Sequence, residues 1–381
     1  MTGSRPAFTR HSIVFYISGH GFGHATRTGS VIRFIRDHYP DIPLYVRSWA
    51  STRIFDEMCP DVPVTWRQFD VGVSQPDAVT LDIPDTLHAM RDTLDQTDRQ
   101  FDAEVADLRA LNPGCIVSDI PPVAHRLAAH LEIPSVTLTN FTWDWIYREW
   151  VEAHPGFASL IERMERDYRL SCCLLRLPYA GDFPAFANVH DMPMLGRRAM
   201  KSRGDTRRQL GLDTETRPLV LLSFGGMGLA PGAMESLGYP SDFCFITTST
   251  VPEGAVLSLH SLDLAGIGYP DLVAAVDIVL TKPGYGIVSE CAVNHTRILY
   301  TDRGPFREYD AIIKQLDAWN CAAYIPQSRL FGGRWKTDLE ELMQRDPASV
   351  PRAVEAAEAR GAAVVTEHVM GFYHAYENLT Q

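Results

Sequence analysis

The apolar run Ile13-Val-Phe-Tyr-Ile17 breaks at once on Ser18-Gly-His-Gly-Phe-Gly-His24, and a helical pattern follows. This junction limits the fold more than any other feature of the chain. A short buried run that stops on glycines and turns straight into a helix is the opening unit of a parallel sheet. Glycines at 19, 21 and 23 let the backbone turn sharply and let another group approach it closely. Over residues 26–37, Val31, Ile32, Phe34 and Ile35 share one helical face. Residues 44–46, 62–69, 115–117 and 135–138 read as further strands, with helices over 84–111 and 123–131. Such alternation places helices on both faces of a parallel sheet.

The pattern lapses between 177 and 218. Pro178, Pro184 and Pro193 interrupt regular structure, and a basic stretch follows with Arg197, Arg198, Lys201, Arg203, Arg207 and Arg208. Alternation then restarts, with strands over 219–224, 243–247, 278–281 and 297–300 and helices over 270–275 and 287–293. The tail over 348–378 is rich in Ala and Glu and reads as helical. A chain of 381 residues is long for one core and comfortable for two. The expected fold is α/β, with two Rossmann-like domains facing across a cleft. The expected division is a first domain over 1–180, a connection over 181–217, a second domain over 218–365 and a closing helix over 366–381 that can cross back to the first.

Composition removes several classes of function. The charged fraction of 22% and hydrophobic fraction of 45% are ordinary for a globular chain, which argues against disorder. A formal charge of −12 repels phosphate backbones, so nucleic acid is not an expected partner. No window reaches 18 consecutive apolar residues, so no integral membrane segment is expected. Residues 1–10 hold no apolar stretch, so no signal peptide is expected. The seven cysteines lack zinc-type spacing and read as reduced thiols of a cytoplasmic protein, and no metal site is expected.

Four segments carry chemistry. The first is Ser18 to Arg27, at the carboxyl end of the first strand, where doubly wound folds place ligands. Its histidines, His20 and His24, are candidate bases near neutral pH, with His24 preferred; either can instead simply hold the loop. The second is Val117-Ser-Asp119-Ile-Pro-Pro. Asp119 fits two roles, an orienter of a histidine or a helix N-cap ahead of the prolines. The third is Leu222-Ser-Phe-Gly-Gly-Met-Gly228, whose amides can cradle phosphate oxygens. The fourth runs from Asp277 to Glu290. A strand ends at Lys282, Pro-Gly-Tyr-Gly turns, and a helix opens whose N-terminus favours a diphosphate. Glu290, about two turns on, can accept from a ribose diol or be an exposed helix glutamate. The aromatic loop Phe141, Trp143, Trp145, Tyr147 and Trp150 reads as core or as a stacking surface.

With these segments in order, the chain resembles the glycosyltransferase B-fold superfamily. It is most similar to the glycosyltransferase-like N-terminal region of plant L-arabinokinases, and more distantly to the peptidoglycan N-acetylglucosaminyltransferase family and plant flavonoid glucosyltransferases. The shared features are the Gly-His-Gly-Phe-Gly-His-Ala-Thr-Arg loop, Val-Ser-Asp119 with its prolines, Thr139-Asn-Phe-Thr-Trp-Asp144, Arg176-Leu-Pro178, Lys201-Ser-Arg203, Phe224-Gly-Gly226, and Lys282 through Ser289-Glu290. The resemblance implies that His24 is the base of an inverting enzyme, Asp119 its acidic partner and Glu290 the ribose ligand. Lys282 stands where paired glutamates of retaining members would need Glu, which favours inversion. Arg307-Glu308-Tyr309-Asp310 replaces the sugar-reading pair of relatives, so the sugar is not read. No Gly-Leu-Gly-Ser-Ser loop follows, so sugar phosphorylation is not expected.

The expected function is transfer of a hexosyl group from a nucleoside diphosphate sugar, a UDP-sugar, to a hydroxyl acceptor. No further cofactor is expected. Gly225, Gly226, Gly284, Tyr285 and Gly286 would approach the diphosphate with Lys282, and Ile267, Gly268 and Tyr269 the uracil. A nucleotide-sugar 2-epimerase would leave the aromatic loop idle. A nucleotide-sugar-binding sensor would not need the His24–Asp119 pair.

Overall fold

The structure is a computed structural model that describes residues 10–75, 81–225, 231–248, 256–258, 266–302, 304, 306–348 and 360–380. Two parallel sheets organise it. The first contains β1 (Ser12–Ile17), β2 (Leu44–Ser48), β3 (Val64–Trp66), β4 (Pro113–Asp119), β5 (Ser135–Thr139), β6 (Cys173–Arg176) and β7 (Val189–Asp191). Their order across the sheet is β3-β2-β1-β4-β5-β6-β7. The second contains β8 (Leu219–Ser223), β9 (Cys244–Thr247), β10 (Val256–Ser258), β11 (Ile278–Thr281), β12 (Arg297–Tyr300) and β13 (Ala322–Tyr324). Its order, β10-β9-β8-β11-β12-β13, repeats that of β3 through β6 in the first, without a counterpart of β7. The central strands β1, β4, β5 and β11 are buried along their whole length, as strands covered by helices on both faces must be.

Local chemistry sets the ends of the helices. Helix Ile83–Leu111 starts on Asp82, whose side chain accepts from the Asp85 amide at 2.9 Å. It ends on Asn112 with φ 49°, a left-handed residue that releases the chain into β4. β6, β7, β10 and β13 were not among the expected strands. Cys173 begins β6 and is buried. β7 is an exposed edge strand of three residues, too short to show a period.

The stretch 181–217 is more structured than a connection. β7 belongs to the first sheet, and helix Arg203–Gln209 belongs with the second. Arg207 pairs with Asp277 at 2.9 Å, and Arg203 reaches the same carboxylate. Arg203 and Arg207 are therefore spent on the second domain itself. The last helix begins at Gly361 rather than 366 and runs to Thr380. It lies against the first domain, where the Tyr373 hydroxyl donates to the His11 carbonyl at 2.6 Å. Among the described residues, no helix is long and apolar enough to cross a membrane.

Candidate active site

Each sheet reverses its winding once, between β1 and β4 in the first and between β8 and β11 in the second. Ligands of such folds bind beyond the carboxyl ends of the strands at these reversals. All four chemical segments lie there. Ser18–His24 leaves β1, β4 ends on Asp119, Gly225 follows β8, and Lys282 follows β11. The two glycine turns meet. A Cβ built on Gly286 would lie 3.3 Å from the Gly23 Cα, so a side chain there would need its neighbour to shift, and one on Gly23 would lie 3.7 Å from the Gly286 amide nitrogen. The N-termini of helices Gly23–His38 and Tyr285–Val293 therefore abut across the cleft. Each brings unpaired amides and a partial positive charge to one point.

On the first domain, His24 Nδ1 lies 2.9 Å from Asp119 Oδ1. Asp119 is not a helix cap. The next helix, Val123–His130, is preceded by Pro122 and has no side-chain cap bond. Asp119 is instead fully buried and accepts from Arg27 Nε at 2.8 Å, Arg27 Nη2 at 2.6 Å and the Thr28 hydroxyl at 2.7 Å. Burial would raise its carboxyl, but the Arg27 guanidinium and His24 hold it well below the usual carboxylate range.

Arg27 is the group that sequence reasoning missed. It stood in the recognised loop without a role, yet it falls one helical turn after His24, on the same face. Its Nη1 donates to Asn140 Oδ1 at 2.5 Å and its Nη2 to the Thr139 hydroxyl at 3.0 Å. Nη2 is also 2.8 Å from His24 Nδ1. Both Nη2 hydrogens are already taken by acceptors, and Asp119 is ionised. The arrangement that satisfies all three groups has His24 donate from Nδ1 to Asp119, leaving Nε2 to accept. From the second domain, Glu308 accepts from Asn140 Nδ2 at 2.9 Å, and Tyr285 places its ring 5.1 Å from the Arg27 carbon.

His20 sits apart from this cluster. Its ring centroid is 6.5 Å from that of His24, 5.3 Å from Trp143 and 6.3 Å from Phe306. Trp143, Trp145 and Trp150 are all buried, so the aromatic loop is core.

On the second domain, Lys282 lies beside Gly225, with its Cε 3.9 Å from a Cβ built there. Gly225 takes φ +76°, open to glycine and strained for other residues. Gly226 lies outside the described residues. Gly284 precedes helix Tyr285–Val293. The Tyr285 side chain points inward, accepting from the Leu195 amide at 2.9 Å, so only its backbone faces the turn. Ile267 and Tyr269 are half-buried. The Tyr269 hydroxyl meets Ser223 Oγ at 2.5 Å, and the Gly268 amide donates to Asp271 at 2.9 Å.

Glu290 is buried rather than exposed, and Arg197 Nε donates to its Oε1 at 2.6 Å. Burial pushes its carboxyl up, and Arg197 works against that. Arg197 comes from the basic stretch, which had no expected partner. Among the described residues, no three His, Cys, Asp or Glu side chains are grouped to hold a metal ion. A cavity of about 630 Å³ opens elsewhere, beside Tyr300, Asp317, Trp319 and Arg345, and none of the four segments lines it.

No family model matches the chain. It is 32% identical to the L-arabinokinase of Arabidopsis thaliana over 348 residues, which make 90% of this chain and 33% of that protein. The chain thus spans about a third of the length of that relative. Among solved structures, it superposes on UGT71G1 of Medicago truncatula, solved with UDP-glucose, with a TM-score of 0.65 at 11% identity, covering 96% of this chain and 98% of that one. It superposes on a UDP-glucosyltransferase of Polygonum tinctorium with a TM-score of 0.61 at 12% identity, covering 97% and 100%. The MurG protein of Acinetobacter baumannii gives a TM-score of 0.54 at 14% identity, covering 95% and 99%. Two doubly wound sheets, facing one another at their winding reversals, place this chain among the proteins of the glycosyltransferase B fold, similar in sequence to a third of a plant L-arabinokinase.

Proposed function

We propose that the protein transfers a hexosyl group from a UDP-sugar to a hydroxyl acceptor, with inversion at the sugar carbon. The observation that carries this reading is the His24–Asp119 contact of 2.9 Å, set opposite a helix N-terminus with Lys282 beside its turn. His24 Nε2 takes the acceptor proton as the acceptor oxygen bonds to the anomeric carbon. The bond from that carbon to the diphosphate oxygen breaks, and UDP leaves with the electron pair. The terminus of helix Tyr285–Val293 and Lys282 face the charge that develops there. Gly225, Gly284 and Gly286 let the diphosphate approach the backbone. A sensor has no use for a buried histidine–carboxylate pair, which supports the enzyme reading. The UDP-glucose in the Medicago structure supports the choice of donor.

Glu290 is the proposed ribose ligand. The Arg197 contacts both fall on Oε1, which leaves Oε2 for a ribose hydroxyl. A hydrogen bond to a charged acceptor contributes about 1.5–3 kcal/mol, so Glu290→Ala should weaken UDP binding about tenfold or more. Calorimetric titration of both proteins, with melting curves to check folding, measures this. Equal affinity would remove Glu290 from the donor site. The transfer itself is tested by incubating the protein with UDP-sugars and a panel of alcohol acceptors. Acceptor-dependent UDP release is the expected result. Epimer formation from the UDP-sugar alone would replace this reading with the epimerase.

A further inference from the structure

Asp70 is a fully buried carboxylate outside the four segments. Three side-chain donors converge on it. Trp49 Nε1 donates to Oδ1 at 2.8 Å and Trp143 Nε1 to Oδ2 at 2.9 Å, and the Ser18 hydroxyl lies near enough to favour the charged form. No Lys or Arg among the described residues pairs with it. Burial pushes its carboxyl up, and the three donors and His24 oppose that. A buried carboxyl is costly unless its hydrogen bonds are made, and an apolar residue of similar size would hold two indoles together at less expense. The reason for a carboxylate is found in what the donors touch.

All three rest on the glycine loop. The Trp49 ring covers Gly19 so closely that a Cβ there would lie 2.4 Å from it. Ser18 Oγ accepts from the His20 amide at 3.2 Å. Trp143 meets the His20 ring edge to face, with centroids 5.3 Å apart, and Phe141, 5.2 Å from Trp143, meets the His24 ring at 5.2 Å. The segment that carries Asp70 closes the loop from the other side. A Cβ on Gly72 would fall 2.4 Å from His20 Nδ1. We infer that Asp70 is a positioning residue that fixes the Ser18–His24 loop through Trp49, Trp143 and Ser18, and so sets where the His20 and His24 rings stand for the transfer.

This inference rests on the proposed transferase reading for its kinetic consequence, but the positions of the rings can be tested without any turnover. Asp70→Asn keeps the volume and turns one acceptor into a donor, which must then face a donor. Trp143→Phe and Ser18→Ala each remove one donor and keep the packing. The ring resonances of His20 and His24, assigned with His20→Gln and His24→Gln, are compared in labelled protein. Asp70→Asn should move both sets, and Trp143→Phe should move His20 more than His24. Resonances unchanged in a folded Asp70→Asn protein would overturn the inference, whatever the transferase assay shows. If Asp70→Asn does not fold, unchanged resonances in Trp143→Phe and Ser18→Ala decide against it in the same way. With a working acceptor, Asp70→Asn should lower kcat about tenfold or more, the scale of a small misplacement, and leave the UDP dissociation constant unchanged. Loss of UDP binding alone, with kcat at saturation intact, would also count against it.

Discussion

His24→Ala is expected to lower turnover by about 10²- to 10⁴-fold, the range for loss of a general base. UDP affinity should change little, because the donor is proposed to sit on the second sheet while His24 opens helix Gly23–His38 of the first. His20→Ala should cost less, since the His20 ring stands 6.5 Å from that of His24 and against Trp143 rather than Asp119. The measurement is UDP release with a working acceptor, alongside UDP titration. Full turnover in His24→Ala would remove the base. Full turnover in both variants would reduce the loop to a turn that presents backbone amides.

Arg27→Met should be the most destabilising single change in the site. It leaves Asp119 buried without its guanidinium, and breaking a buried ion pair costs about 3–5 kcal/mol. The loss should depend on pH. In the wild type the folded-state pKa of Asp119 lies below the unfolded value, so its contribution is present above about pH 4 and fades as the pH falls through the folded value. Without Arg27 the larger part of that depression is lost, with His24 and Thr28 left as partners, and protonating Asp119 relieves the poorly compensated charge. The gap between wild type and variant should therefore be largest at pH 7 and smaller near pH 4. Asp119→Asn added to Arg27→Met should recover part of it, because the two effects share one contact. Urea unfolding of the four proteins at both pH values measures this, and a gap independent of pH would mean that Asp119 is not the source of the cost.

The parts of the site that were legible in the sequence are local. The β1 run, its glycines and the helix that follows are neighbours in the chain, and so are the strand, turn and helix around Lys282. Their chemistry can be read from spacing. The second circle of contacts was not legible, because it joins distant positions. Arg27 and Asn140 are 113 residues apart, and Asn140 and Glu308 are 168 apart. Nothing near Arg197 announces that it will reach Glu290, 93 residues on. Asp119 shows why local reading stops short. A carboxylate before two prolines satisfies a helix-cap pattern, and only the packing of helix Gly23–His38 against β4 turns it toward His24 and Arg27 instead. The edge strand β7 escaped for a different reason. Three exposed residues carry no periodicity, and its place is set by pairing with β6.

The return of helix Gly361–Thr380 to the first domain reverses the usual order of completion during synthesis. A chain made from its amino end normally finishes its first domain first. Here the helix that seats Tyr373 on the His11 carbonyl leaves the ribosome only after every strand of the second sheet. The first sheet must wait, with the surface of β4 and of helix Gly23–His38 uncovered, while a whole second domain is translated. A fragment cut near residue 180 would keep that surface bare and should be less stable than the same residues in the whole chain.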